Sequence, residues 1–340
     1  MPRTDRSLAT LALAAIVDAL WGEPPACWHP VVLMGKALAL AERHAPRQRP
    51  AAELAYGGAV VVGGALVAAL AARTLLHAVE QRCPALAVPV AAVLLKSTFA
   101  VRALEDAAHA VAASLAADDL ALARGRLRAL VSRDPEALDA SLVAAAAVES
   151  VAENLGDSFV APVVWYALLG LPGAMVYRWI NTCDAMWGYR GRYEWLGKTA
   201  ARLDDAASWL PARLAAVLLV ASAVRTGMDA GNAWRVLRRD HALTASPNAG
   251  WPMSAAAGAL GCRLEKPGHY LLGAEGRPPT ADTVYTATAL ARAAAALALA
   301  GCALGSAISL ARGRRRGDRL PEMLLRGAGQ ARTRTPRGTR

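Results

Sequence analysis

Three acidic residues at helical spacing are the first sign of chemistry in the sequence. Glu149, Glu153 and Asp157 follow one another at intervals of four residues, which places them on one face of an α-helix. Like charges at this spacing destabilise an exposed helix by about 0.2–0.5 kcal/mol per pair, so the row needs a cation beside it. We interpret it as a site for Mg²⁺ or an amine, with Asn154 as a neutral donor and acceptor. The alternative is a solvated face with ordinary salt bridges.

A second acidic group follows further along the chain. Asp204 and Asp205 are adjacent, Arg202 precedes them and Arg213 comes after them. Neighbouring carboxylates close to guanidinium groups suit a hydrated Mg²⁺ that bridges phosphate oxygens. Acidic pairs are also common where helices begin, and this is the alternative interpretation.

The segment between the two acidic groups is also polar. Asn181, Asp184, Tyr189, Arg190 and Arg192 lie in one run. Because arginine forks make bidentate contacts with phosphate or carboxylate, this run is a candidate for anion binding.

Three familiar catalytic motifs are absent from the sequence. The sequence contains no GxxxxGK[ST] phosphate loop, no HExxH zinc motif and no GxSxG nucleophile motif. His29, which precedes Pro30, either binds a substrate or has a structural role, and its spacing alone favours the structural role.

The elements that carry these residues are helices in an apolar chain. Of the 340 residues, 55% are hydrophobic and 19% are charged, whereas soluble domains carry about 25% charged residues. A full membrane span needs about 20 residues, so three apolar stretches qualify and two are marginal. We predict an all-α, polytopic integral membrane protein with polar helical loops. The five stretches are residues 56–72, 84–95, 158–177, 214–224 and 293–311.

The helix of the acidic row and the stretch after it raise a geometric problem. Asp134-Pro135 predicts the start of that helix, and Gly156 predicts its end. If residues 158–177 crossed the bilayer, their two polar flanks would lie on opposite sides, although both flanks resemble parts of one site. Leu171-Pro172-Gly173 offers a break. We therefore hypothesise a re-entrant helical hairpin that returns both flanks to the same face.

The net charge of the chain is concentrated at its C-terminus. Residues 312–340 carry ten arginines against two carboxylates, which is most of the net charge of +11. Their Pro, Gly and Thr content predicts a disordered tail, and residues 1–311 are predicted to form one membrane-embedded domain. The tail has no aromatic residue that would stack on bases. We expect it to contact an anionic membrane face and expect no nucleic-acid binding.

Several motifs occur in a fixed order along the chain. They are Asp18…Gly22-Glu23-Pro24…His29-Pro30, Glu149-Ser150-Val151-Ala152-Glu153-Asn154…Asp157, Asn181-Thr182…Asp184, Gly188-Tyr189-Arg190, Arg202-Leu203-Asp204-Asp205, Pro211-Ala212-Arg213-Leu214 and Ser246-Pro247-Asn248-Ala249-Gly250. Together they resemble the adenosylcobinamide-phosphate synthase family of cobalamin biosynthesis over about residues 15–310. Two positions depart from the family pattern: Ser132 stands where Gly is usual, and Ser208 stands where Asn is frequent.

This resemblance implies an integral membrane enzyme that joins adenosylcobyric acid to aminopropanol or its phosphate through a new amide bond. ATP is expected as the consumed nucleotide, with Mg²⁺. We assign the metal to Asp184, Asp204 and Asp205, and the proton-accepting base to the row of Glu149, Glu153 and Asp157. The substrate and phosphate contacts are assigned to His29, Asn154, Asn181, Tyr189, Arg190, Arg202, Arg213, Ser246 and Asn248.

The use of ATP places the expected site on the cytoplasmic side of the plasma or inner membrane. Expected partners are the corrinoid, the amine, membrane lipid and other membrane enzymes of the pathway. A non-catalytic corrinoid-binding protein or a transporter is an alternative, since prolines within apolar segments fit that class too. A structural scaffold for pathway partners is a further alternative.

Overall fold

Helices form nearly all of the regular structure. The computed structural model describes residues 3–23, 27, 29–47 and 49–330. The prediction of an all-α protein is confirmed for this part of the chain, with a two-stranded hairpin as the exception. The helices are α1 (Arg3–Trp21), α2 (Pro30–Arg43), α3 (Pro50–Arg82), α4 (Ala87–Lys96), α5 (Val101–Ala116), α6 (Leu120–Leu127), α7 (Ala140–Leu155), α8 (Ala161–Trp187), α9 (Lys198–Arg225), α10 (Ala230–Asp240), α11 (Gly250–Leu260) and α12 (Ala281–Gln330).

Within the described residues, five helical segments are long and apolar enough to cross a membrane. Each overlaps one of the five apolar stretches predicted above. On α3 the side chains of Leu66, Val67 and Leu70 are exposed, and an apolar environment stabilises each such group by about 1.5–3 kcal/mol. The chain is a multi-pass membrane protein. The five segments are Pro50–Arg82, Pro84–Ala116, Ala140–Trp187, Lys198–Arg225 and Ala281–Gly305.

The helix of the acidic row begins later than predicted. Asp139 is its N-cap, because the Asp139 carboxylate accepts a hydrogen bond from the Leu142 N–H at 2.8 Å. Asp134 instead accepts the Glu136 N–H within a turn. The α-helix ends at Leu155 with Gly156 as its C-cap, as predicted, but the backbone continues through a π-helical turn at Gly156–Val160 into α8. A π turn inserts an extra residue per turn and often marks a functional site.

The chain reverses its direction within α8. Gly170 has φ +70° and ψ −163°, a backbone conformation that is essentially restricted to glycine. Asp157, before this break, lies within electrostatic range of Arg178 and Asp184, after it. A straight helix would separate Asp157 from Asp184 by about 40 Å at 1.5 Å per residue. The reversal that the hypothesis requires is therefore present and both flanks meet, whereas a re-entrant position in the membrane stays a prediction.

A short β-hairpin was not predicted from the sequence. Strand β1 (Leu264–Lys266) pairs antiparallel with β2 (Tyr270–Leu272), and Leu264 and Leu272 are fully buried. Strands of three residues are too short to show an alternating pattern. The hairpin lies beside α7 and brings Lys266 and Tyr270 towards the acidic row.

Asp240 anchors the loop that follows this hairpin. Its buried carboxylate accepts hydrogen bonds from the Gly273 N–H at 2.7 Å and from Arg239 at 2.6 Å. Burial by itself raises the pKa of Asp240, but these hydrogen bonds outweigh it and lower the pKa overall. The carboxylate therefore stays ionised and holds the loop.

Helix α12 includes the first part of the basic segment 312–340, since it extends to Gln330. Residues 331–340 lie outside the described residues. The domain boundary at residue 311 and the disorder of the tail stay predictions.

Helix α3 packs closely against the second arm of α8. Trp179 Nε1 donates a hydrogen bond to the Val61 carbonyl at 2.9 Å. A Cβ atom on Gly64 would overlap the Trp179 ring, whereas a Cβ atom on Gly63 would meet nothing within 4 Å. The absence of a side chain at Gly64 is what permits this contact.

We predict that Gly64→Ala destabilises the protein relative to Gly63→Ala. Both substitutions gain the same helix propensity, so the difference between them isolates the packing effect, which is expected at about 1–3 kcal/mol. Thermal unfolding of the two purified variants in detergent measures it. Equal transition temperatures would contradict the close contact.

Candidate active site

The acidic row lies on α7 and the π turn, and its first member is buried. Arg133 Nη2 donates a hydrogen bond to Glu149 Oε2 at 2.9 Å. The other oxygen, Oε1, is enclosed and has no hydrogen-bond partner among the described residues. Tyr270 faces this carboxylate from β2, and burial, aided by Glu149, raises the pKa of the Tyr270 hydroxyl. Tyr270 is therefore a neutral hydrogen-bonding group at physiological pH.

The two acidic groups that the sequence keeps apart meet in space. Asp157 lies within electrostatic range of Glu153, Asp184 and Asp204. Asp184 in turn lies within range of Asp205. The row of α7, the end of α8 and the start of α9 therefore contribute to one site.

Polar side chains hold the carboxylates of α9 in place. Asn181 Nδ2 donates to Asp204 Oδ1 at 3.3 Å, and Ser208 Oγ donates to Oδ2 at 3.5 Å. Asn181 also accepts a hydrogen bond from Arg178. The predicted site residue Asn181 thus lies at the centre of the site, with its amide group already engaged.

The donor set suits Mg²⁺ that arrives together with a phosphate. In the described part of the chain, no three His, Cys, Asp or Glu side chains are close enough to form a complete metal cage. Mg²⁺ usually takes only one or two protein carboxylates and completes its shell with phosphate oxygens and water. Asp184, Asp204 and Asp205 carry hard oxygen atoms of the kind that Mg²⁺ prefers, and their role as metal ligands stays a prediction.

A polar pocket of about 530 Å³ opens beside these carboxylates. It brings together the predicted residues Tyr189, Arg190, Arg202 and Asp205, and Lys198 adds a further cation. Tyr193 Oη donates to Glu42 Oε1 at 2.9 Å, which ties the loop between α8 and α9 to α2. The pocket is large enough for a phosphate-bearing ligand and has the cations to bind one.

Three of the predicted site residues, Arg213, Asn248 and Ser246, form one wall of the site. The Arg213 guanidinium lies between the Trp209 and Trp251 rings, 4.2 and 4.5 Å from their centroids. It donates to Asn248 Oδ1 at 3.1 Å, and Asn248 Nδ2 donates to the Asp205 carbonyl at 2.8 Å. This chain of contacts positions the backbone of Asp205.

Ser246 completes that wall from the loop before α11. Its hydroxyl oxygen accepts the Asn248 and Ala249 N–H groups at 3.2 Å each. The described contacts thus give Ser246 a local role in shaping the turn. Its predicted contact with a substrate stays a prediction.

Asn154 points away from the acidic row. It donates to the carbonyl and hydroxyl of Ser150 and accepts from the Ser158 hydroxyl at 3.1 Å. These contacts bridge the helix across the π turn. A π turn shifts the faces of a helix. The residue spacing alone therefore did not show that the Asn154 side chain forms its hydrogen bonds within its own helix.

His29 has both ring nitrogens engaged. Nδ1 accepts the Val31 N–H at 3.2 Å, which caps α2, and Nε2 lies 2.7 Å from Glu23 Oε2. An acceptor at Nδ1 requires the neutral tautomer with its proton on Nε2. The structure therefore gives His29 the role of a helix cap that orients Glu23.

A buried lysine that the sequence analysis missed lies behind His29. Lys96 Nζ is 2.5 Å from Glu23 Oε1 and 3.0 Å from Asp18 Oδ1, and it donates to the Phe99 carbonyl. The Lys96 side chain is only 2% exposed. Lys96 lies at the break between α4 and α5. A lone charge within an apolar segment is the sequence feature that could have revealed it.

Arg178 is a second residue that the sequence analysis missed. It lies on the returning arm of α8, within electrostatic range of Glu23, Asp157 and Asp204. It therefore connects the Lys96 network with the acidic site. The sequence feature that could have revealed Arg178 is like that of Lys96. Arg178 is a charged residue directly after the apolar stretch that ends at Tyr177.

The chain matches the family model described as CobD/Cbib protein over residues 11–300. It is 43% identical over 277 residues to the cobalamin biosynthesis protein CobD of Dehalococcoides mccartyi, which covers 82% of this chain and 90% of that relative. It is 38% identical over 300 residues to the probable cobalamin biosynthesis protein CobD of Methanothrix thermoacetophila, covering 85% and 94%. The CobD protein of Brucella suis is 38% identical over 271 residues, covering 77% and 83%. No solved structure matches the chain.

We predict that Lys96→Met lowers the free energy of unfolding by about 3–5 kcal/mol, since loss of one partner leaves buried carboxylates uncompensated. Lys36→Met is the matched control, because Lys36 is exposed and exposed substitutions stay within about 0.5 kcal/mol. Unfolding of both variants in detergent checks this. Equal stability of the two variants would show that the Lys96 ion pairs do not hold the fold.

Proposed function

The chain belongs to the CobD/Cbib protein family, and from this membership and the site we propose that it acts in cobalamin biosynthesis as adenosylcobinamide-phosphate synthase. In this reaction the propionate carboxylate of adenosylcobyric acid forms an amide with aminopropanol or its O-phosphate, and ATP is hydrolysed. The convergence of Asp157 with Asp184 and Asp204 is the observation that carries the proposal. It joins a cation-binding acidic row and a phosphate-binding pocket in one site.

The first half of the proposed reaction activates the carboxylate. A carboxylate and an amine do not condense unaided in water, so the propionate oxygen attacks the γ-phosphorus of ATP and ADP leaves. Arg190, Lys198 and Arg202 line the 530 Å³ pocket and compensate the phosphate charges. Mg²⁺ held by Asp184, Asp204 and Asp205 would neutralise the charge that develops on the phosphoryl oxygens.

The second half forms the amide bond. The amine nitrogen attacks the acyl carbon, the acyl C–O bond breaks and phosphate leaves. In neutral water an aliphatic amine is present as its ammonium form, and it must lose a proton before its nitrogen can attack. Glu153 and Asp157 lie side by side at the junction of the two acidic groups, so they hold the ammonium and accept its proton.

The proposal also assigns a location. ATP is available on the cytoplasmic side, so we place the site at the cytoplasmic face of the plasma or inner membrane. The arginines of residues 312–340 would add attraction to anionic lipid of about 1 kcal/mol per nearby charge. Bound at this surface, the corrinoid stays close to other membrane enzymes of the pathway.

We predict a corrinoid product that is heavier by the amine minus one water. Membranes that contain the protein are incubated with adenosylcobyric acid, ATP, Mg²⁺ and either aminopropanol or its phosphate, and the products are read by mass spectrometry. The productive amine identifies the nucleophile. Bound corrinoid without product in folded protein would favour a non-catalytic corrinoid-binding protein or a transporter.

We predict that Glu153→Gln lowers the rate of amide formation by about 10²–10⁴-fold, because the amide side chain cannot accept the proton. ATP binding is expected to persist, since Glu153 does not line the phosphate pocket. Glu136→Gln is the control, because Glu136 lies on the exposed surface with Arg128. Full turnover by Glu153→Gln would remove the base role from Glu153.

A further inference from the structure

One edge of the Arg178 guanidinium has no hydrogen-bond partner among the residues that the structure describes. Arg178 Nη1 donates to Asn181 Oδ1 at 2.9 Å. Nε is enclosed and has no hydrogen-bond partner, and Nη2 forms no hydrogen bond with a described residue. Nε and Nη2 together form the planar edge through which arginine binds a carboxylate or phosphate with two parallel hydrogen bonds. An enclosed, charged donor without a partner is costly, which points to a ligand.

Arg178 forms no direct ion pair with the acidic site. Among the described residues no carboxylate lies within 4.0 Å of its guanidinium, whereas the protein pairs other arginines directly. Arg133 contacts Glu149 at 2.9 Å, and Arg292 contacts both oxygens of Glu105 at 2.7 and 2.8 Å. Arg178 has Asp157 and Asp204 nearby and is held by Asn181 instead, which leaves its Nε–Nη2 edge without a hydrogen-bond partner among the described residues.

The surroundings of Arg178 are polar on one side and apolar on the other. Met175 and Trp179, one turn before it and directly after it, line an apolar groove of about 540 Å³ between α2, α3, α4 and α8. Pro30, next to the His29–Glu23 pair, also lines this groove. The neighbours of Arg178 along the chain therefore contribute to an apolar surface.

We propose that Arg178 binds an oxyanion of a substrate through Nε and Nη2, as a binding residue of the reaction proposed above, on which this inference rests. Two sources supply such an oxyanion: the reacting carboxylate of the corrinoid and a phosphate of ATP. The nearby carboxylates repel any anion, so the oxyanion binds together with the cation that the acidic site holds. The anchor then fixes the oxyanion beside Asp157 and Asp204.

Arg178→Lys tests the proposal, because lysine keeps the charge and loses the planar edge. Arg225→Lys is the matched control, since Arg225 is exposed at the end of α9. Both variants are compared with the unmodified full-length protein in detergent, with Mg²⁺ and the amine present. In the first arm, without ATP, absorbance follows binding of adenosylcobyric acid and of the same corrinoid with that carboxylate blocked as an amide. In the second arm, without corrinoid, binding of ATP is measured by calorimetry.

We expect Arg178→Lys to weaken one of these ligands by about 10–100-fold, the range for loss of a charged hydrogen bond. Selective weakening of the free acid identifies the corrinoid carboxylate, and selective weakening of ATP identifies a phosphate. Unchanged binding of both ligands overturns the proposal, as does equal weakening of the free and blocked corrinoids without an effect on ATP. If the protein binds corrinoid but never forms product, the proposed synthase reaction is contradicted. The measured affinities still decide whether Arg178 binds an oxyanion. If Arg178→Lys fails to fold, Arg178→Gln, which removes the charge and the planar edge, is measured in the same two arms and is expected to weaken the same ligand.

Discussion

The reversal of the chain at Gly170 is the constraint on which the site depends. Asp157 precedes this residue and Asp184 follows it, and an uninterrupted helix would hold them far apart. The backbone angles at Gly170 let the second arm of α8 return along the first. The same return brings Arg178 beside Asp157 and places Trp179 against α3. The acidic site and the packing of the bundle thus share one cause.

Charges within the apolar bundle are compensated in two different ways. Lys96 is enclosed by Asp18 and Glu23, and Glu149 is bound by Arg133, so each of these charges has a direct ion pair within the protein. Arg178, Asp157 and Asp204 lie near one another without a direct ion pair. Complete pairs stabilise the frame, because an uncompensated buried charge is expensive. The incomplete group is where a ligand has most to contribute.

The helix breaks lie where polar groups are needed. The break between α4 and α5 holds Lys96, the π turn after α7 carries Asp157, and the reversal at Gly170 joins the two flanks of the site. Irregular backbone inside a membrane protein is tolerated where protein or water satisfies its polar groups. The same apolar framework holds a polar pocket beside Asp205 and an apolar groove lined by Met175 and Trp179.

Much of this protein followed from the sequence alone. The apolar stretches located the five segments that are long and apolar enough to cross a membrane, and the four-residue spacing located the acidic row. Pro172-Gly173 indicated the hairpin, because these features depend on residues close together in the chain. Only the tertiary structure decided that Arg213, Ser246 and Asn248 shape a wall, that His29 caps α2, that Lys96 pairs with Asp18 and Glu23, and that Arg178 lies near Asp157 and Asp204. The β-hairpin that presents Tyr270 was equally hidden. The physical reason is that a side chain's role depends on which groups compensate its charge and hydrogen bonds, and those groups come from distant parts of the chain.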